Sequence, residues 1–261
     1  MKTVVIVQAR TGSTRFPGKI LKEVLGEPLL IHQLNRIKAA KLADEIIVAT
    51  TNEFEDNKII DLCLKFDFKF FRGSKEDLLD RHYKAAREFS ADFVVKIPSD
   101  CPLIDSVIID KVIEYFIINQ DRFDFVSNLH PATYPDGNDV EIMHFKTLKE
   151  AWMKAEKGYE LEHTTPFIWD NPYSFKIGNV EWESGLNYSK SHRFTLDYEE
   201  DYYLIKRIYE ELYPINQNFN LNDILELLEI KPEIKLINKK YAGEYWYRHN
   251  LNELKTVEYS I

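Results

Sequence analysis

Thr3-Val4-Val5-Ile6-Val7-Gln8-Ala9-Arg10-Thr11-Gly12-Ser13-Thr14-Arg15-Phe16-Pro17-Gly18-Lys19 is the stretch from which the fold is read. Its first six residues are a short β-branched run without polar alternation, the pattern of a strand buried on both faces. The run breaks into a segment with two glycines, small hydroxyls and three cations, which is loop composition. Glycines let backbone N–H groups approach an anion, and Arg10, Arg15 and Lys19 supply positive charge. A strand emptying into this loop therefore suits a polyphosphate. The loop is not a Walker A sequence. Five residues separate Gly12 from Gly18 instead of four, and Ile20 stands where a magnesium-binding Ser or Thr would follow Lys19. Nor does it match GxGxxG. The alternative is a solvated turn whose cations happen to cluster.

Working outward, the same alternation of elements repeats. Glu45–Thr50, Lys69–Phe71 and Asp92–Ile97 read as buried strands, and Leu29–Ile37, Glu55–Phe66 and Lys75–Phe89 as helices. Strands joined by helices predict an α/β fold with a mainly parallel sheet flanked by helices. Ligands of such sheets bind beyond the carboxyl ends of the strands, so the loops after Gln8, Thr50, Phe71 and Ile97 are the ones to watch. After Asp121 the rhythm changes. Strands are expected at Phe123–Ser127, Val140–Phe145 and Tyr173–Val180, and helices at Lys146–Lys157, Glu160–Trp169 and Tyr198–Leu212. The segment from Asn222 reads as helical, then polar and aromatic, and Tyr241–Tyr247 suits packing or a subunit interface better than a cofactor. No Ser/Gly-rich linker marks a boundary. Residues 1–261 are read as one domain, with 129–190 as a smaller inserted α+β segment covering or extending the site.

Composition agrees with an ordinary globular protein. Of 261 residues, 44% are hydrophobic and 30% charged, enough for a sizeable core. No apolar run reaches the roughly 18 residues of a membrane span. The short apolar run at Thr3–Val7 lacks a small-residue cleavage site, so it is not read as a signal peptide. Cys63 and Cys101 form no CxxC and no disulfide framework, which points to a reducing, cytoplasmic setting. A net charge of −9 argues against broad nucleic-acid binding but not against one nucleotide held by a few cations.

The motif Gln8-Ala-Arg-x-Gly-Ser-x-Arg-Phe-Pro-Gly-Lys-x-Leu21 resembles the signature that opens the cytidylyltransferases acting on eight- and nine-carbon acidic sugars. It is most similar to the branch that includes spore coat polysaccharide biosynthesis protein F. The resemblance continues through Arg72–Arg81, Asp100–Asp105, Tyr134–Glu141, Glu162–Pro166 and Arg193–Asp201, in order, over residues 4 to about 205. It implies a Rossmann-like nucleotidyltransferase fold and transfer of CMP from CTP to a sugar, aided by Mg²⁺, with release of pyrophosphate. It also implies a homodimer.

Residue by residue, the resemblance places Gln8, Ala9, Arg10, Gly12, Ser13 and Lys19 at the nucleotide, with Ser74 and Arg81 near the base. Arg10, Arg15, Lys19 and Asp100 would carry the catalysis. Asp100 and Asp197 would hold Mg²⁺, a cation that takes hard oxygens and commonly one or two carboxylates. From the residues alone, Asp100 is equally a turn residue before Pro102 and Asp197 a helix N-cap. Arg81 is equally the partner of Asp77 in an i,i+4 surface pair, and Asp201 suits the first turn of its helix. Asp139 and Glu141 would face the acceptor, and His163, His192 or Arg193 would meet the carboxylate of an acidic sugar. One departure is that Ile97-Pro98-Ser99 precedes Asp100 where the family usually has a small polar residue and Gly. Pro98 removes an N–H and fixes φ, which alters this loop's backbone contacts but not the carboxylate. No protein nucleophile is needed: a sugar oxygen attacks the α-phosphorus in line. The rival readings are a nucleotidyltransferase using another NTP with a sugar-1-phosphate, and a nucleotide-binding module without transfer.

Overall fold

A computed structural model describes residues 1–244 and 251–256. The parallel strands β1 (Thr3–Gln8), β4 (Glu45–Thr51), β5 (Lys69–Gly73) and β6 (Phe93–Pro98) form where apolar runs predict them. They alternate with α1 (Leu29–Lys38), α2 (Asn57–Lys65) and α3 (Leu78–Glu88), and α4 (Ser106–Ile118) follows β6. The loop after β1 ends in a two-strand ribbon, β2 (Glu23–Val24) and β3 (Glu27–Pro28). Among the described residues the main sheet runs β5-β4-β1-β6-β8-β7-β9, with β7 at Phe125–Ser127, β8 at Glu141–His144 and β9 at Ile177–Asn179. β8 is antiparallel to both neighbours; the other pairings are parallel.

Both faces of the sheet are covered, which is why β1 is apolar throughout. Val5 and Val7 pack towards α1, α4, α8 (Glu199–Leu212) and α9 (Leu221–Ile230). Val4 and Ile6 pack towards α3, α5 (Phe145–Lys154), α6 (Gly158–His163) and α7 (Pro166–Trp169). α10 (Pro232–Leu236) closes the first layer through Ile234. Fully burying a Val or Leu side chain contributes about 1.5–3 kcal/mol, so the two apolar layers fix the sheet on which the loops stand.

Several boundaries move for local reasons. α3 begins at Leu78 rather than Lys75 because the Asp77 carboxylate accepts the Asp80 N–H at 2.7 Å and caps the helix there. The helix expected over 160–169 is two helices, broken at Thr164 with φ of 72° and restarted by Pro166. The strand expected over 173–180 shortens to β9. Residues 129–190 do not stand apart from the sheet: β8 and β9 extend it beyond β6. Cys63 and Cys101 are separate, buried free thiols. No helix among the described residues is long and apolar enough to cross a membrane.

Candidate active site

β1 lies between β4 and β6, and the chain leaves it to either side, so the sheet's switch point is the crevice at Gln8 and Pro98, which are register partners. The cationic loop leaves this point. The Thr11 carbonyl accepts the N–H groups of Ser13 at 2.9 Å and Gly18 at 3.0 Å, folding the loop back on itself. Gly18, at φ of 68°, supplies the left-handed turn that starts a 3-10 helix at Lys19.

That helix aims Lys19 into the crevice. Its ammonium lies 2.9 Å from Asp197 and 3.4 Å from Asp100, and Arg15 reaches the same Asp197 oxygen at 2.7 Å. Burial opposes the Lys19 charge, but the two carboxylates outweigh it and raise the lysine's pKa. Burial likewise opposes the Asp197 charge, and Lys19 and Arg15 override it, taking its pKa down to about 2. Two carboxylates 97 positions apart thus share one cation.

Backbone pairing makes this convergence. The Leu196 N–H donates to the Asp100 carbonyl at 2.8 Å, the Phe194 N–H donates to the Asp136 carbonyl at 2.7 Å, and the Asp136 N–H donates to the His192 carbonyl at 3.0 Å. Gly137, at φ of 101°, lies so close that a Cβ would sit 2.6 Å from the Phe194 carbonyl carbon; only glycine fits. Tyr198 is the N-cap residue of α8, and Asp201 in its first turn accepts the N–H groups of Asp197 and Tyr198 at 2.9 Å each. Asp197 is therefore not the cap, and its carboxylate faces the crevice.

A cavity of about 220 Å³ opens beside these groups, lined by Gln8, Arg15, Asp100, Asp139, Glu141 and Asp197 among others. His163 and Arg193 also line it. Ala9, Arg10, Gly12 and Ser13 belong to the loop above; Ala9 is buried and Arg10 and Gly12 are exposed. Sequence reasoning passed over Lys96 and Asp136. Lys96 is a lone cation inside an apolar strand, a legible signal, and it pairs with Glu141, which also accepts the Thr165 hydroxyl at 2.7 Å. Asp136 gave no signal beyond a turn.

Three sets of the expected contacts are engaged or uncharged within the chain. Arg193 lines the cavity while tied to the chain's own carboxylates. It is buried, and its guanidinium is spent on Asp201 at 3.0 Å, Asp136 at 3.2 Å and Asp197 at 3.2 Å. His163 and His192 bring no positive charge, since burial takes them down to about 3 and about 4. Ser74 and Arg81 bond to each other's surroundings: the Ser74 hydroxyl accepts the Asp77 N–H at 3.0 Å, and Arg81 donates to the Ser74 carbonyl at 2.7 Å. Arg81 is buried rather than half of a surface pair, and desolvation, with Arg10 nearby, lowers it to about 10. Tyr241 packs on Tyr198 with ring centroids 3.8 Å apart; Tyr245–Tyr247 lie outside the described residues.

Titration makes a prediction here. Burial, then the neighbouring Asp100, pushes Asp139 up to about 7, and burial and Asp139 raise Asp136 well above the usual carboxylate range. A folded pKa above the unfolded value of about 3.9 means the cost of charging is absent near pH 4, grows as pH rises, and is complete above about pH 7. His82, His130, His163 and His192 act oppositely: burial holds them at about 3 to 4 against about 6.5 unfolded, so stability is lost as pH falls below 6.5. Four histidines oppose two carboxylates over this window, so melting temperature should drop from pH 7 to pH 5. Asp139→Asn should melt above wild type at pH 8, with the gain shrinking to nothing near pH 4. A gain independent of pH would contradict the buried-charge origin.

A crevice at a parallel sheet's switch point, with a cationic turn opposite paired carboxylates, is where α/β proteins hold phosphorylated ligands. The chain belongs to the cytidylyltransferase family, whose model matches residues 4–229. It is 38% identical over 238 residues to an uncharacterized protein of Methanocaldococcus jannaschii, covering 91% of this chain and 95% of the relative. It is 26% identical over 233 residues to spore coat polysaccharide biosynthesis protein SpsF of Bacillus subtilis, covering 87% and 94%. A cytidylyltransferase structure from Leptospira borgpetersenii superposes with a TM-score of 0.85 at 33% identity, covering 95% of this chain and all of that one.

Proposed function

We propose that this cytidylyltransferase moves CMP from CTP to a hydroxyl of an acidic, ulosonic-type sugar in the cytoplasm, with Mg²⁺, releasing pyrophosphate for surface polysaccharide synthesis. The observation that carries the proposal is the shared cation: Lys19 bridging Asp100 and Asp197 at the switch point. Two carboxylates around one positive centre fit a hard divalent ion whose remaining ligands come from phosphate and water. Bound there, it would gather phosphate oxygens and offset charge on the departing pyrophosphate.

The chain's own groups then position and neutralise. Lys19, Arg10 and Arg15 hold the phosphates, and the cavity walls orient the acceptor oxygen in line with the α-phosphorus. Of the cations lining the cavity among the described residues, Lys96 and Arg193 are committed to buried carboxylates. Arg15, with 44% of its side chain exposed, can serve a phosphate or a sugar carboxylate.

Pyrophosphate release, measured with each of the four NTPs against acidic sugars and sugar phosphates, tests this. Release is expected with CTP and an acidic sugar and to need Mg²⁺. Release only with another NTP and a sugar-1-phosphate would replace the reading. A CTP-induced rise in melting temperature with no release from any acceptor would favour a binding module. The homodimer belongs to the same proposal, and light scattering giving the mass of one chain would reject it.

A further inference from the structure

Asp56 plays no part in the resemblance and stands away from the crevice, at the end of a 3-10 turn after β4. Yet the residue is 2% exposed, and its carboxylate collects two donors from the cationic loop and one from the end of β4. One oxygen accepts the Thr11 N–H and the Thr11 hydroxyl, both at 2.7 Å. The other accepts the Thr51 hydroxyl from the end of β4. Charged acceptors make the stronger hydrogen bonds, and a buried carboxylate bound on both oxygens holds its donors in one place.

Thr11 is the hub of the cationic loop. While its N–H and hydroxyl are tied to Asp56, its carbonyl accepts the N–H groups of Ser13 and Gly18. Gly18 in turn opens the 3-10 helix that carries Lys19. A continuous path of short bonds therefore runs from the Asp56 carboxylate through Thr11 to Gly18 and the lysine facing Asp100 and Asp197. Without the anchor, the exposed part of the loop around Gly12, Thr14 and Arg15 has few other bonds to hold its shape.

We infer that Asp56 is a positioning residue: it fastens the cationic loop to the end of β4 and so sets where Lys19 and the loop amides meet the triphosphate. It touches no substrate. This rests on the loop being the phosphate site, as proposed above.

The test is nucleotide binding, which needs no identified acceptor. Wild type is first titrated with the four nucleoside triphosphates and the matching monophosphates; absence of any triphosphate binding would reject the proposed function rather than this inference. With the triphosphate that binds, Asp56→Ala is expected to raise Kd at least tenfold while the monophosphate Kd changes less than threefold, because the loop serves the β- and γ-phosphates. Asp56→Asn keeps one acceptor oxygen for both Thr11 donors but loses the charge and sets an NH2 against the Thr51 hydroxyl, so its triphosphate Kd should fall between wild type and Asp56→Ala. Thr11→Val removes the hydroxyl bond alone and should raise the triphosphate Kd about threefold. It decides the matter if Asp56→Ala does not fold. Equal weakening of tri- and monophosphate, or a triphosphate Kd unchanged in Asp56→Ala and Thr11→Val, would overturn the inference.

Discussion

Arg193→Met is expected to cost about 3–5 kcal/mol of folding free energy, the usual penalty for removing one partner of a buried ion pair. Arg193 is the hinge pin between three parts of the chain: the 134–139 turn through Asp136, the start of α8 through Asp201, and the crevice through Asp197. Burial alone would disfavour its charge; the bonds and charges of Asp201, Asp136 and Asp197 override that and raise its pKa. Methionine keeps most of the apolar stem, so what is lost is charge and five-donor geometry rather than volume. Asp201, fully buried, would keep the N–H groups of Asp197 and Tyr198 and the Asn238 amide but lose its cation. Urea unfolding should show the midpoint falling with little change in slope. Adding Asp201→Asn to Arg193→Met should recover part of the loss, because part of the penalty is the orphaned carboxylate. A loss below about 1 kcal/mol, the size of an exposed pair, would show that the cluster does not bear on stability.

Much of the fold was legible because its signals are local. Thr3–Gln8 and Glu45–Thr50 are apolar without alternation, and only strands covered on both faces need that. The second half was less legible. β8 runs antiparallel in the middle of the sheet, and β7 and β9 are three residues each, too short for a period to declare itself. The helix break at Thr164 had a legible signal in Pro166, which is disfavoured inside a helix and favoured at the start of one, but the apolar pattern of Glu160–Trp169 ran across it. In the site, Asp100 and Asp197 were identified through resemblance alone; as residues they were a turn and a cap. Arg193 reads in the sequence as a cation beside a candidate metal carboxylate, and only coordinates reveal that Asp136 and Asp201 also bond it. Lys96 was missed although a lysine within Phe93–Ile97 must be paired, being too costly to bury alone.

Asp100→Asn is expected to lower turnover about a thousandfold or more while the protein still unfolds cooperatively near the wild-type temperature. Asp100 keeps 30% of its side chain exposed, and its carbonyl, not its carboxylate, holds Leu196 and Thr195, so the amide leaves the scaffold alone. Lys19→Ala should cost about a hundredfold to a thousandfold, the range for removing one electrostatic contact to the transition state. The two losses differ in kind, and divalent-ion binding without nucleotide separates them. In the free protein the Lys19 ammonium occupies the position between Asp100 and Asp197, competing with any cation for those oxygens. Removing it leaves the two carboxylates without the cation between them, with Asp197 still paired to Arg15 and Arg193 and Asp100 without its lysine. Lys19→Ala should therefore bind Mn²⁺, used as a spectroscopic substitute for Mg²⁺, more tightly than wild type even as it turns over more slowly. Asp100→Asn should bind it more weakly. If Lys19→Ala lost ion affinity together with activity, the lysine would be a support for the metal carboxylates and not the cation that the incoming ion displaces towards the phosphates.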